Sequence, residues 1–146
     1  MRLQQFLPYR LAVLAEAVSR SVAAVYAARF DLTRDEWRLL AMLGETGRIQ
    51  AAEAAQRTTL DKMQASRALR SLETRGLVAR EVDASDRRHV LVRLSPAGRR
   101  LYGQVAPMAE ARERFLLQAL DDDERAALDR ILDKLLQRAR DLQRQD

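Results

Sequence analysis

The apolar pattern of this chain changes period in one place. Elsewhere its apolar residues recur at steps of three and four, as on one face of a helix. Val78, Arg80 and Val82, and then Val90, Val92 and Leu94 interleaved with Leu91 and Arg93, read instead as two short strands. Between them lies the polar loop Asp83-Ala84-Ser85-Asp86-Arg87-Arg88-His89, so this stretch is a β-hairpin with a basic tip.

Helices surround the hairpin. Leu7, Leu11, Leu14, Val18, Val22 and Val25 form one stripe on a first helix ending near Phe30. Thr33 and Glu36 have capping-box spacing and open a second helix that buries Trp37, Leu40, Ala41 and Leu43; Gly44 and Gly47 end it. Gln50 to Gln56 is a short third helix, Arg57 to Leu60 a turn, and Asp61 an N-cap for a fourth helix that runs to Arg75 with Gly76 as its C-cap. In that helix Ala65, Leu69 and Leu72 face inward, while Lys62, Gln64, Ser66, Arg67 and Arg70 face out. Ser95-Pro96 opens a long fifth helix reaching Leu120, with Pro107 as a site for a kink. Asp121 and Glu124 cap a last helix whose Leu128, Leu132, Leu135, Ala139 and Leu142 are spaced to meet a partner helix.

The order α-α-α-α-β-β-α-α predicts a mainly α fold with a small β-hairpin wing, a winged helix-turn-helix flanked by N- and C-terminal dimerisation helices. One domain is expected over 1–146, with residues 33–95 as the DNA-binding region and 1–30 and 97–146 as the dimerisation helices.

Charge points to the same segment. The net charge is +5, and between Arg57 and Arg100 eleven Arg or Lys stand against five Asp or Glu, so this middle stretch holds all of the surplus. Clustered cations of this kind suit phosphate contacts, with double-stranded DNA as the partner. A helix fits the major groove, where Gln64 is placed to pair with adenine, Arg67 to meet guanine or a phosphate, and Ser66 to donate to either. Thr59, Lys62 and Arg70 complete the expected contact set on this helix and the turn before it. At the wing tip Arg87 and Arg88 are placed for the minor groove. Asp86 there is either a simple turn residue or the group that orients an arginine by a charge-assisted hydrogen bond.

Several functions are excluded or disfavoured. With no cysteine, the chain has no disulfide, zinc-thiolate, iron-sulfur or thiol-redox chemistry. His89 stands alone, which is a poor basis for a metal site, and Asp121, Asp122 and Asp123 are better read as helix-capping acids than as cation ligands. No phosphate loop, nucleophile elbow or HExxH motif is present, so no enzyme activity, cofactor or metal is expected. Met1 to Leu14 mixes Arg2, Gln4, Gln5, Pro8 and Arg10 among its apolar residues, which predicts neither a signal peptide nor a membrane span and a cytoplasmic protein. Tyr9, Tyr26, Trp37 and Tyr102 either line an aromatic pocket between the first, second and fifth helices or are simple core.

Leu60-Asp61-Lys62-Met63-Gln64-Ala65-Ser66-Arg67, Leu72-Glu73-Thr74-Arg75-Gly76-Leu77-Val78, Asp86-Arg87-Arg88 and Leu94-Ser95-Pro96-Ala97-Gly98 resemble the MarR family of bacterial regulators over nearly the whole chain. The resemblance implies that the helix ending at Leu72-Glu73 is the recognition helix and that Asp86 holds Arg88 for the minor groove. It further implies a homodimer joined through its terminal helices, a palindromic operator, repression, and release by a small aromatic or acidic effector. The chain lacks the cysteines of the thiol-sensing branch and the histidines of the metal-sensing branch. Phe6-Leu7-Pro8-Tyr9-Arg10 and Asp35-Glu36-Trp37-Arg38 resemble segments of members tied to aromatic catabolism, which implies an aromatic acid or its CoA thioester met by Arg10 or Arg38. The alternatives are a nonspecific architectural DNA binder and a winged-helix module that docks an acidic protein.

Overall fold

The computed structural model describes residues 1–145. A 3-10 turn at Leu3–Gln5 leads into α1 (Leu7–Phe30), followed by α2 (Arg34–Thr46), β1 (Ile49–Gln50), α3 (Ala51–Arg57), α4 (Lys62–Thr74), β2 (Val78–Val82), β3 (Val90–Leu94), α5 (Pro96–Leu117) and α6 (Asp122–Gln145). The mainly α winged-helix fold anticipated from the periodicity is present, and the chain divides into two compact units, Met1–Ala109 and Glu110–Asp146.

In the first unit, local signals place each element. The Glu36 backbone N–H donates to Thr33 Oγ1 and the Thr33 N–H donates to Glu36 Oε1, both at 3.1 Å, a reciprocal cap that starts α2. Asp61 and Gln64 repeat it at the start of α4. Gly76, at φ 71°, turns the chain out of α4 in a conformation open to glycine, and the Leu77 N–H reaches back to the Leu72 carbonyl at 2.9 Å. The chain then enters β2, whose antiparallel register with β3 runs from Val78 opposite Leu94 to Val82 opposite Val90.

The sheet has three strands, in the order β1-β3-β2. The third was not expected, because β1 is two residues long and too short to show a period. It pairs Ile49 with Val92 and puts β3 at the centre, so Val92 and Leu94 are buried. They join Tyr26, Leu39, Leu40, Leu43, Leu72 and Val105 in one core. Truncating any of these leucines to Ala would cost about 2–5 kcal/mol.

Three further details extend or differ from the sequence reading. Gly44 does not end α2, which continues to Thr46 and is closed by Gly47. Gly44 instead makes room for the Tyr102 ring, which a Cβ there would meet at 2.6 Å. Pro107 lies inside the continuous helix α5; the carbonyl four residues back belongs to exposed Gly103, where water can replace the lost bond. Finally, the α1 stripe is buried only toward its end, at Val25 and Tyr26, while Leu7, Leu11 and Leu14 stay exposed, Leu14 at 57%. Continuing past Leu14 to Phe30, α1 is long and apolar enough to cross a membrane by length and composition, which the first fourteen residues alone do not reveal.

In the second unit, the Asp121–Glu124 capping box opens α6 with three acids in its first turn, as expected for a helix N-terminus. Arg125 Nε donates to the Leu117 carbonyl at 3.0 Å and secures the corner. No described residue of α6 is buried, and Ile131, Leu132, Leu135, Leu136 and Leu142 all face out.

Candidate nucleic-acid interface

Helix α3, a short turn and α4 form the helix-turn-helix, and capping chemistry sets the start of α4. Gln64 N–H donates to Asp61 Oδ1 at 2.8 Å, while Gln64 Oε1 accepts the Asp61 N–H at 3.1 Å. That second bond changes the reading of Gln64. Its carbonyl is engaged in the cap, so the free side-chain amide can donate but a bidentate grip on adenine would first have to break the cap. The D-x-x-Q spacing carried this signal in the sequence.

Beyond the cap, Lys62, Ser66 and Arg70 follow one another at four-residue steps and share an exposed face, with Arg67 exposed beside them. Lys62, Arg67, Arg70 and the wing residue Arg87 make no ion pair among the described residues, whereas Arg57 and Arg80 are paired with Glu53 and Glu73. Met63, 71% exposed on α4, was missed by reasoning that looked only for polar groups. An apolar side chain there suits a thymine methyl group.

The wing tip is held by its own backbone and acids. The Asp83 N–H donates to the His89 carbonyl and the His89 N–H to the Asp86 carbonyl, each at 3.0 Å. Asp86 grips Arg88 in a fork: Arg88 Nε donates to Oδ1 at 2.9 Å, Nη2 to Oδ2 at 2.8 Å, and the Arg88 N–H to Oδ1 at 3.1 Å. These bonds hold the Asp86 carboxyl below the usual carboxylate range and raise the Arg88 guanidinium. The Arg88 side chain stays 85% exposed, so the fork limits its motion without covering it. His89 Nε2 stands 3.3 Å from the same carboxylate.

Tyr9, Tyr26, Trp37 and Tyr102, expected either to line one aromatic pocket or to be simple core, do not all meet, and Arg10 and Arg38 lie at different sites. Tyr26 and Trp37 stack with centroids 5.6 Å apart, and with Arg34 and Arg38 they edge a crevice of about 170 Å³. Burial, opposed by Arg34 and Arg38, raises the Tyr26 phenol above its ordinary value. Tyr9 and Arg10 border a separate groove on α1 with Gln4, Val13, Leu14 and Ala17. Tyr102 packs against Gly44. Periodicity places these residues on helix faces but cannot say which faces meet. Trp37 and Arg38 also edge a larger hollow of about 390 Å³ with Met42, Arg57, Thr58 and Thr59.

Arg75, counted with the basic cluster in the sequence, turns inward to Glu36 and to the carbonyls of Phe30 and Asp31. Burial alone would raise the Glu36 pKa, but hydrogen bonds from the Thr33 backbone, Ser71 and Thr33 hydroxyls, together with Arg75, outweigh it and hold it below its ordinary value.

Residues 30–89, which contain the helix-turn-helix, β2 and the wing tip, match the family model described as MarR family. Over 94% of its length and 97% of the other chain, the protein is 31% identical to a MarR family transcriptional regulator from Silicibacter pomeroyi DSS-3, with a TM-score of 0.82. The chain belongs to the MarR family. It is therefore a DNA-binding transcription regulator of the winged helix-turn-helix type. It is also 25% identical over 105 residues, 72% of each chain, to the HTH-type transcriptional regulator FarR of Neisseria gonorrhoeae. The same fold, at 24% identity and a TM-score of 0.82 over 92% of this chain and 96% of the other, occurs in Bordetella bronchiseptica BpsR, whose DNA binding is regulated by 6-hydroxynicotinic acid.

Proposed function

We propose that this MarR family chain is a homodimeric, cytoplasmic repressor that binds a palindromic operator and leaves it when a small aromatic acid, or its CoA thioester, is bound. The observation that carries the DNA half is the exposed row Lys62, Ser66 and Arg70 on α4, uncovered and free of acidic partners among the described residues. Thr59, Arg67, the Gln64 amide and Met63 extend that row. Arg87 and the Asp86-held Arg88 then supply the minor-groove contacts.

Dimerisation rests on the two unpartnered apolar faces. Leu7, Leu11 and Leu14 on α1, and Ile131, Leu135 and Leu142 on α6, are exposed in the single chain at a density that a lone soluble surface does not carry. A second copy of the chain covers them, which also accounts for the apolar character of α1 without a membrane. The effector reading rests on the crevice beside half-buried Trp37, which Tyr26 backs from the core, where a ring can lie against the indole and a carboxylate can reach Arg34 or Arg38. Arg10 and Tyr9, on their separate groove, and Tyr102 take no part in that crevice.

Selection from random duplexes by the purified protein tests this reading, followed by affinity for the enriched duplex and a scrambled control at two salt concentrations. The expected product is a palindrome with half-sites about one helical turn apart. Salt-sensitive binding with no enrichment would establish a nonspecific architectural binder instead, and no DNA binding would leave a protein-docking module.

A further inference from the structure

Glu36 is the one charged residue that is buried among the described residues, and its position shows what it is for. Its Oε1 closes the cap at the start of α2, while its Oε2 accepts from Ser71 Oγ at 3.0 Å and from Arg75 Nη1 at 3.3 Å. Arg75 is the C-cap residue of α4. Its Nη1 also donates to the Asp31 carbonyl at 2.8 Å and its Nη2 to the Phe30 carbonyl at 3.0 Å. Phe30 ends α1, and Asp31, left-handed at φ 53°, turns the chain toward α2. One guanidinium thus fastens the end of the reading helix α4 to the end of α1 and the beginning of α2.

Capping the α1 carbonyls would by itself need only an exposed cation. A buried carboxylate carries a desolvation cost that is worth bearing where its partner must be held in one place. Here the partner is a side chain that grips two other helices. If the outer face of α1 pairs two copies, the angle between α1 and α4 sets how far apart the two reading helices stand.

We infer that Arg75, held by Glu36, is a positioning residue that fixes α4 against the C-terminal end of α1 and thereby sets the half-site spacing the dimer accepts. This rests on the dimeric operator-binding reading above. Neither residue touches DNA in this role. The link acts through geometry: once one half-site is bound, the second binds as an intramolecular event whose strength depends on how well the separation matches.

The test uses Arg75→Gln, Arg75→Lys and Glu36→Gln in the full chain, with duplexes carrying the selected half-sites at a series of spacings and a duplex carrying one half-site alone. The wild-type protein should show a narrow spacing optimum. Arg75→Gln should lose about tenfold at that optimum and show a flattened spacing profile, with single half-site affinity changed less than about twofold. Arg75→Lys, which keeps the charge, should recover part of the preference. Glu36→Gln, which leaves both α1 hydrogen bonds available, should flatten it partly and serves if Arg75→Gln does not fold. Equal loss on single and paired half-sites, or an unchanged spacing profile in folded variants, overturns the inference. A wild-type chain that is monomeric by light scattering, or that selects no paired half-sites, would instead overturn the dimeric reading.

Discussion

Arg38 Nη1 donates to Thr59 Oγ1 at 2.6 Å, which ties α2 to the turn that leads into α4. The family resemblance implies an effector role for Arg38, and sequence position a DNA contact for Thr59. The structure joins them, and Arg38 also edges the Tyr26–Trp37 crevice, so under the proposed function an acid bound there would compete with Thr59 for the same guanidinium.

Thr59→Val keeps the shape and removes the acceptor. Operator affinity should fall about three- to tenfold, the scale of one hydrogen bond, while the urea midpoint moves little because the site is exposed. Fluorescence anisotropy on a labelled operator reads the first and equilibrium unfolding the second. Unchanged affinity would show that the bond does not position the turn for DNA.

Arg88→Ala should weaken operator binding about ten- to a hundredfold, in the range of a lost specific contact. Asp86→Asn should cost less, since an amide oxygen can still accept from Arg88 but without charge assistance. Because Asp86 acts through Arg88, the double variant should bind no worse than Arg88→Ala alone. Additive losses in that double-mutant cycle would mean that Asp86 contributes independently.

The Glu36 carboxyl titrates below its ordinary value of 4.5 in the folded chain. A depressed folded pKa means that ionised Glu36 contributes its full stability above 4.5, and that this contribution is lost as the pH falls through the lower, folded value. The stability difference between the wild-type chain and Glu36→Gln should therefore be constant near neutral pH and shrink below 4.5. Urea unfolding of both across that range checks it. A difference that does not change with pH would show that the carboxyl is not held in its ionised form.

Leu14→Glu and Leu135→Glu each place a charge on an exposed apolar face, which should leave the fold of one chain within about 0.5 kcal/mol of its starting stability. If those faces pair two copies, light scattering should fall from twice 16.7 kDa toward 16.7 kDa, and operator affinity should drop with it. A mass that stays at two chains would exclude the substituted face from the interface.

Much of the fold was legible because its signals are local. A capping box needs only residues three apart, as at Thr33 and Glu36, and a hairpin announces itself by a change of period, as at Val78 to Leu94. The Asp86–Arg88 fork spans two residues and was likewise within reach of the sequence. The D-x-x-Q spacing also carried the Gln64 cap in the sequence, while β1 was missed because two residues carry no period.

By itself, then, the sequence determined the order of helices and strands, the caps that start and stop them, and the concentration of cations between Arg57 and Arg100. Those properties depend on neighbours within a turn or two of chain. The tertiary structure alone decided that Gly44 yields to the Tyr102 ring, that Tyr9 and Tyr102 stand apart from the Tyr26–Trp37 stack, and that Arg75 faces Glu36 instead of solvent. Gly44 and Tyr102 lie 58 residues apart in the chain and Glu36 and Arg75 lie 39 apart, and each pair meets only where the packed helices bring their faces together. Periodicity names a helix face, but the geometry of packing chooses its partner.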